Sequence, residues 1–194
     1  KEQHPLLNQK LRRNRQLCAW QLVDGIPAVV YSRDIDFAQA PNLYGLYSSR
    51  TSAVAALQAL ADAHRLCHGA LGLEKLVAGK ACFRSMLKRC NGVCCGKETH
   101  AEHDERLLKV LESLRLRRWP WAGPVAIREH HADTGRSAMH LVDRWCLLGT
   151  AEDEASFGEL LAAPPARAFD LDTYRILVRW LDTPEGRRAV TVVG

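Results

Sequence analysis

Five of the seven cysteines are concentrated in one segment of the chain, at positions 67, 82, 90, 94 and 95. Scattered free cysteines are usually small core residues, and an odd number argues against a disulfide framework. Thiolates are strong metal ligands, and four of them complete a tetrahedral or cluster-binding set. The local density therefore predicts a metal site, with these ligands: Cys67, Cys82, Cys90 and Cys94.

The residues between these cysteines suit a loop that wraps around a metal. Gly92 and Gly96 allow the sharp bends that converging thiolates need. The segment holds little apolar surface, so a metal is expected to order it. Nearby cations lower thiol pKa values and offset thiolate charge; they are Lys80, Arg84, Lys88, Arg89 and Lys97.

The spacing of the cysteines bears on which metal is bound. Structural zinc sites usually present ligand pairs two to four residues apart, and only Cys90 and Cys94 do so. The long earlier gaps and the Cys94–Cys95 doublet favour an iron–sulfur cluster, which also takes four cysteines. Zinc remains open, with one histidine replacing a thiolate; the candidates are His68, His100 and His103.

The elements around this segment follow from local patterns. Gln16–Val23 and Ile26–Ser32 flank Asp24-Gly25, which predicts a β-hairpin. The apolar spacing of Ser49–Leu66 predicts a helix that leads to Cys67. A short helix is expected over Phe83–Arg89.

A second helix and a separate carboxy-terminal domain follow. Thr99 and Glu102 form a capping box, and a leucine stripe extends the helix to Arg117. Beyond Trp119 the pattern is β-β-β-α-α-β, with Asp170 as a helix N-cap. Its elements are Val125–His130, Ala138–Trp145, Cys146–Gly149, Glu152–Ala163, Leu171–Leu181 and Val190–Val193. The sequence therefore predicts an α+β protein whose last domain is a degenerate RNase H-like fold.

Charge and composition indicate which classes of partner and location to expect for this protein. Lys and Arg number 27 against 22 for Asp and Glu, a net charge of +5. Clustered cations favour nucleic-acid phosphates. No apolar run is long enough to span a bilayer, so a soluble, cytoplasmic protein with no membrane partner is expected. The chain begins at Lys1 without Met, which suggests either a processed protein or a piece of a longer one.

Several motifs resemble the Cho family of UvrC-homologous excision-repair endonucleases. The most specific is A-C-F-R-S-M-L-K-R-C-N-G-V-C-C-G-K-E at Ala81–Glu98. Others are K-E-Q-H-P-L-L-N at Lys1–Asn8, R-R-N-R-Q-L-C-A at Arg12–Ala19, P-N-L-Y-G-L-Y at Pro41–Tyr47 and L-C-H-G-A-L-G-L-E at Leu66–Glu74. From Trp119 onward the likeness is looser.

The resemblance implies a GIY-YIG nuclease domain followed by a cysteine-rich region with a [4Fe-4S] cluster. Only Asn8 matches the nuclease signature, so most of that domain, with its Mg²⁺ or Mn²⁺ ion, is expected to be absent and this chain inactive alone. The first cysteine gap is longer than in UvrC, which makes Cys67 the least certain ligand. Cys95 could substitute for Cys94.

The resemblance also implies partners. The nuclease cuts a damaged strand of duplex DNA 3′ to the lesion, after UvrA and UvrB have located it, which places it at the nucleoid. The expected partners are therefore damaged double-stranded DNA and, through the UvrA–UvrB pathway, UvrB. The expected DNA-binding cations are Lys10, Arg12, Arg13, Arg15, Lys88 and Arg89.

The expected division is into a nuclease remnant at 1–15, a hairpin and helix at 16–66, a cluster module at 67–118 and an α+β domain at 119–194. One alternative is a zinc-stabilised DNA- or protein-interaction module without a nuclease role. Another is a carboxylate metal site in the last domain, from Glu129, Asp143, Asp170 and Asp172.

Overall fold

The structure is a computed structural model, and it describes residues 17–77, 80–131 and 133–193. The described residues divide into two compact units. The middle unit comprises residues 17–36 and 40–116, and the C-terminal unit comprises residues 37–39 and 117–193. Both units combine helices with a small antiparallel sheet, which confirms the α+β class. The four-part division stays a prediction.

The middle unit contains a three-stranded antiparallel sheet with the order β2-β1-β3. Its strands are β1 (Cys18–Val23), β2 (Ile26–Tyr31) and β3 (Leu43–Tyr47). The hairpin prediction is confirmed, because Val23 pairs with Ile26 across Asp24-Gly25. Both turn residues have positive φ, at 50° and 79°, as a two-residue hairpin turn requires.

Two helices pack on this sheet. Helix α1 (Arg50–Ala63) begins at a Ser49–Ser52 capping box, and helix α3 (His100–Glu112) begins at the predicted Thr99–Glu102 capping box. The shared core consists of Cys18, Trp20, Tyr44, Ala53, Leu57, Ala61, Leu66, Leu71, Leu107 and Leu111.

Helix α3 ends earlier than the leucine stripe predicts. It stops at Glu112, and the next residues pair with β3 instead of continuing to Arg117. The Gly45 N–H donates to the Leu114 carbonyl at 2.7 Å, and the Leu116 N–H donates to the Leu43 carbonyl at 2.8 Å. The prediction was wrong here because edge-strand hydrogen bonding takes up the backbone groups that a further turn would use.

Between α1 and α3, the described residues (64–77 and 80–99) form one helical turn, α2 (Phe83–Met86), and a 3₁₀ turn (Val93–Cys95). Helix α2 is shorter than the predicted Phe83–Arg89. Lys88 has φ of +57°, a left-handed conformation that cannot continue an α-helix.

The C-terminal unit contains a four-stranded antiparallel sheet with the order β6-β5-β4-β7. The predicted order β-β-β-α-α-β is confirmed, with one further short helix before the last strand. The elements are β4 (Val125–His131), β5 (Arg136–Asp143), β6 (Cys146–Ala151), α4 (Glu154–Ala162), α5 (Leu171–Leu181), α6 (Pro184–Arg188) and β7 (Val190–Val192). An RNase H-like fold stays a prediction.

An aromatic cluster fills part of this unit. Trp145 is 1% exposed and stacks edge-on against Trp119 and Tyr174, with ring centroids 5.1 and 5.5 Å away. Its indole N–H donates to the Arg117 carbonyl at 2.9 Å. No helix in the described part of the chain is long and apolar enough to cross a membrane.

Candidate metal centre

Four cysteine thiols converge in the middle unit. The sulfurs of Cys67, Cys82, Cys90 and Cys94 all lie within 4.8 Å of one another. Cys82 is central, with its Sγ 3.6 Å from the Sγ of Cys67 and 3.6 Å from that of Cys90. The first three are buried and Cys94 is partly buried.

The backbone brings these thiols together through a series of tight turns. After α1, Arg65 adopts a left-handed φ of +56° and turns the chain towards Cys67. Cys82 is the N-cap of α2, and Cys94 lies in the 3₁₀ turn that follows Gly92. Gly92 has φ of +91°, and a Cβ there would lie 3.1 Å from Lys97 Cβ. The turn therefore requires glycine.

Backbone N–H groups point at two of the sulfurs. The Ser85 N–H donates to Cys82 Sγ at 3.3 Å, and the Cys82 N–H donates to Cys94 Sγ at 3.3 Å. Such bonds favour the thiolate over the thiol. They orient the sulfurs for a cation and partly offset their charge.

Burial makes two of the four thiols difficult to deprotonate. Burial raises the pKa of Cys67 to about 12 and that of Cys90 to about 11. Burial acts on Cys82 in the same direction, but hydrogen bonds from Ser85 and from neighbouring thiols lower its pKa overall. A bound cation would reverse the penalty on Cys67 and Cys90, because it stabilises the deprotonated form.

Histidine His103 supports the site without joining it. Its Nε2 accepts a hydrogen bond from the Cys67 N–H at 3.2 Å, and its Nδ1 lies 3.1 Å from an Asp104 carboxylate oxygen. The side chain is almost fully buried. It therefore fixes the backbone of one ligand, as residues behind a metal ligand commonly do.

The other two histidines are placed differently. His68 is buried with its Nε2 3.1 Å from Asp62 Oδ1, without the alignment of a hydrogen bond. His100 is exposed at the start of α3. Across residues 17–77, 80–131 and 133–193, the four cysteines are the one group of three or more potential ligands. The site is thus a four-thiol site.

The donor set fits both metal groups, and the sulfur separations discriminate between them. In a tetrahedral site two bonds of about 2.3 Å join each pair of sulfurs through one ion, which sets them about 3.8 Å apart. In a cluster each thiolate binds a different iron, so the sulfurs spread further. The observed separations fit one ion. A cluster requires the four sulfurs to move outward.

Comparison with protein families identifies the chain. The family model described as "UvrC/Cho excinuclease, middle domain" matches residues 15–113, about half of the sequence, including all four cysteines. The chain belongs to the UvrC/Cho excinuclease family. A second family model, "Excinuclease Cho C-terminal domain", matches residues 124–193.

Curated relatives of this UvrC/Cho chain carry the name excinuclease Cho. Those from Shigella flexneri and Escherichia coli K12 are 49% identical over 179 residues, which is 92% of this chain and 59% of theirs. The Salmonella typhi protein is 45% identical over 92% of this chain and 60% of its own length. The chain therefore spans about three fifths of these relatives. No solved structure matches.

Two of the six predicted DNA-binding cations of this UvrC/Cho chain lie among the described residues. Asn8 and the four cations at positions 10, 12, 13 and 15 lie outside the described residues. Lys88 and Arg89 are exposed on the turn between Cys82 and Cys90. Cys95 is exposed too, and its Sγ contacts Gly92 O at 3.3 Å rather than joining the four thiols.

Three of the four carboxylates considered for a second metal site have other partners. Asp143 is buried and pairs with Arg167 Nε at 2.5 Å, and Glu129 lies 3.2 Å from His140 Nε2. Asp170 caps α5 as predicted, through the Thr173 N–H at 2.7 Å. With Asp172 they form no group of potential ligands among the described residues.

One ion pair was not anticipated from the sequence. Arg106 on α3 binds both carboxylate oxygens of Glu98, and its guanidinium also donates to the His64 carbonyl at 3.1 Å. The Arg106 hydrogen bonds lower the pKa of Glu98. The pair ties the end of the cysteine-rich segment to α1 and α3. Nothing in the spacing of these residues indicates the contact.

Proposed function

We propose that this chain is the middle and C-terminal part of a nucleotide excision repair endonuclease. The observation that carries the proposal is the match of two consecutive excinuclease family models to its two regions. The parent protein acts on damaged duplex DNA, where it incises the damaged strand 3′ to the lesion together with UvrA and UvrB. Cutting belongs to a GIY-YIG domain with Mg²⁺ or Mn²⁺, outside these residues.

The four thiolates are proposed to hold the structural centre of the middle unit. The family resemblance implies a [4Fe-4S] cluster at Cys67, Cys82, Cys90 and Cys94. When bound, the group supplies four metal–sulfur bonds that cross-link three loops. The convergence of four thiols within 4.8 Å supports a metal centre.

Cations near this centre are proposed to meet the DNA. Lys88 and Arg89 are exposed beside Cys90, and the basic residues at positions 10, 12, 13 and 15 would extend the contact. Phosphate contacts of this kind position a protein on a duplex without reading its sequence. That suits an enzyme whose target is damage rather than a base sequence.

An incision assay tests this function. A duplex with one lesion is incubated with UvrA, UvrB and Mg²⁺, together with either this chain or the longer protein that contains it. The longer protein is expected to cut 3′ to the lesion, and this chain is expected to bind DNA without cutting. Cutting by this chain, lost in Glu129→Ala, would contradict the proposal and revive a nuclease centre in the C-terminal unit.

A second candidate is a zinc-stabilised interaction module without a nuclease role. The short sulfur separations favour it, because they fit one tetrahedral ion. Anaerobic purification followed by absorption spectroscopy and metal analysis separates the two. A brown protein with iron and sulfide supports the cluster, whereas a colourless protein with stoichiometric zinc supports the single ion.

A further inference from the structure

A polar cleft of about 580 Å³ lies beside the cysteine site in the middle unit. It touches the site through Cys90. Its lining is Arg65, Ser85, Lys88, Cys90, Asn91, Lys97, Glu98 and Glu102. Three cations and two carboxylates therefore line the cleft. Which ligand it could bind depends on how many of these charges are not already paired with another residue.

The three cations are exposed and largely unneutralised. Lys88 and Lys97 form no ion pair and no side-chain hydrogen bond with any residue that the structure describes. Arg65 donates from Nε to Asn91 Oδ1 at 2.9 Å, a neutral partner that leaves its charge in place. These side chains can thus turn towards an anion in the cleft.

The two carboxylates are already engaged. Glu98 is paired with Arg106, which neutralises its charge. Glu102 accepts hydrogen bonds from the Thr99 N–H at 2.9 Å and from Thr99 Oγ1 at 2.7 Å, as part of the capping box. Thr99 is a neutral partner, so Glu102 keeps its negative charge, and three cations against this one unpaired carboxylate leave the cleft with an excess of positive charge.

The positions of the cations depend on the cysteines. Arg65 precedes Cys67 by two residues, Lys88 precedes Cys90 by two, and Lys97 follows Cys94 by three. Arg65 and Lys88 also have left-handed backbones, with φ of +56° and +57°. The turns that bring the thiols together therefore bring three cations, from three separate loops, to one cleft.

We infer that this cleft binds consecutive backbone phosphates of a nucleic-acid strand, with Arg65, Lys88 and Lys97 as the phosphate contacts. The inference rests on the proposed function and extends it, because Lys88 belongs to the DNA-binding set given above whereas Arg65 and Lys97 do not. A cleft of this volume can hold a ligand much larger than one phosphate. The hydroxyl of Ser85 adds a neutral donor to the cations.

The test is duplex binding by the metal-loaded chain over a series of salt concentrations, read by fluorescence anisotropy. The variant Arg65→Ala/Lys88→Ala/Lys97→Ala removes the three proposed contacts. Each lost phosphate contact reduces the slope of log K against log salt by about 0.9, so a reduction of roughly 2 to 3 is expected. The control Lys109→Ala/Arg175→Ala/Arg179→Ala removes the same charge from exposed positions outside the cleft.

A reduced slope in the cleft variant alone, with metal content and far-UV circular dichroism unchanged, supports the inference. An unchanged slope overturns it, and so does an equal reduction in the control, which would mean that net charge alone matters. If the unsubstituted chain binds no duplex at any salt concentration, the DNA-binding part of the proposed function fails as well. Failure of the cleft inference is therefore distinguishable from failure of the proposed function.

Discussion

The cysteine-rich segment of the middle unit and the C-terminal unit are held together in different ways. In the segment, three of the four thiols are buried, while Phe83, Met86 and Leu87 are 48 to 66% exposed. In the C-terminal unit, large aromatic side chains are buried against one another around Trp145. Burial of apolar surface explains the second region but not the first.

The difference suggests that the two regions depend on different stabilising interactions. A loop stapled by a metal can expose its remaining side chains, including cations, because it does not need them for its core. In the C-terminal unit, large side chains pack against one another, and carboxylates form ion pairs and helix caps. Substitutions in the two regions should therefore affect different properties.

The largest effect is expected for Cys82→Ala. Cys82 contacts two other thiols, so its loss should abolish metal binding and destabilise the middle unit by on the order of 5 kcal/mol. Metal analysis measures the first effect, and proteolysis between positions 67 and 97 measures the second. Tryptophan fluorescence should still report a folded C-terminal unit, because four of the five tryptophans lie there.

Cys95→Ser is the matched control. The Cys95 side chain is exposed and lies outside the group of four, so metal content and stability should be unchanged. If Cys95→Ser lost the metal while Cys94→Ser kept it, the ligand set would have to exchange one cysteine for the other.

A somewhat smaller effect is expected for Trp145→Ala in the C-terminal unit. The substitution removes the indole ring between Trp119 and Tyr174 and leaves a cavity, which should cost about 3 to 5 kcal/mol. Chemical denaturation followed by fluorescence measures it. Metal content should match that of the unsubstituted protein; a loss of metal would mean that the two regions are not independent.

Glu98→Gln should cost about 1 to 3 kcal/mol, because it leaves Arg106 with a weaker partner. The pKa of Glu98 is lowered in the folded protein, so its contribution is fully present above the ordinary glutamate pKa. It is lost as pH falls through the folded value. The stability difference from the unsubstituted protein should stay constant from about pH 8 to about pH 6 and shrink in acid. A difference that grows in acid would contradict the assignment.

The smallest effects are expected at helix caps, one in each region. Thr99→Ala removes the cap of α3, and Asp153→Ala removes the cap of α4, where it accepts from the Ser156 N–H at 2.8 Å. Thr99→Ala should cost about 1 kcal/mol, and Asp153→Ala should lower stability in the same direction. Unfolding followed by circular dichroism and fluorescence should show the stability loss of Thr99→Ala in the middle unit. The stability loss of Asp153→Ala should appear in the C-terminal unit. Equal effects of both variants on both regions would argue for one cooperative unit.

The hairpin turn, two helix caps and the cysteine group could be predicted from local sequence patterns. The hairpin at Asp24-Gly25, the Thr99 capping box and the Asp170 cap depend on neighbouring residues alone, and the structure has all three. The four cysteines were grouped by density and spacing, and the structure brings their sulfurs together.

Features that depend on contacts between distant residues could not be predicted in this way. The Glu98–Arg106 pair and the bond from Cys67 to His103 join separate elements. The end of α3 is fixed by pairing with β3, which no residue near Leu114 encodes. The choice between one ion and a cluster depends on sulfur separations, which spacing along the chain does not determine.

The central claim is that four thiolates hold a metal that orders the middle unit. The most direct measurement is the metal content and absorption spectrum of the anaerobically purified chain, before and after chelation, with proteolysis of the cysteine-rich segment followed in parallel. We predict one metal centre per chain, and rapid cleavage between positions 67 and 97 once it is removed. A metal-free chain that resists cleavage there as well as the purified protein does would contradict the account.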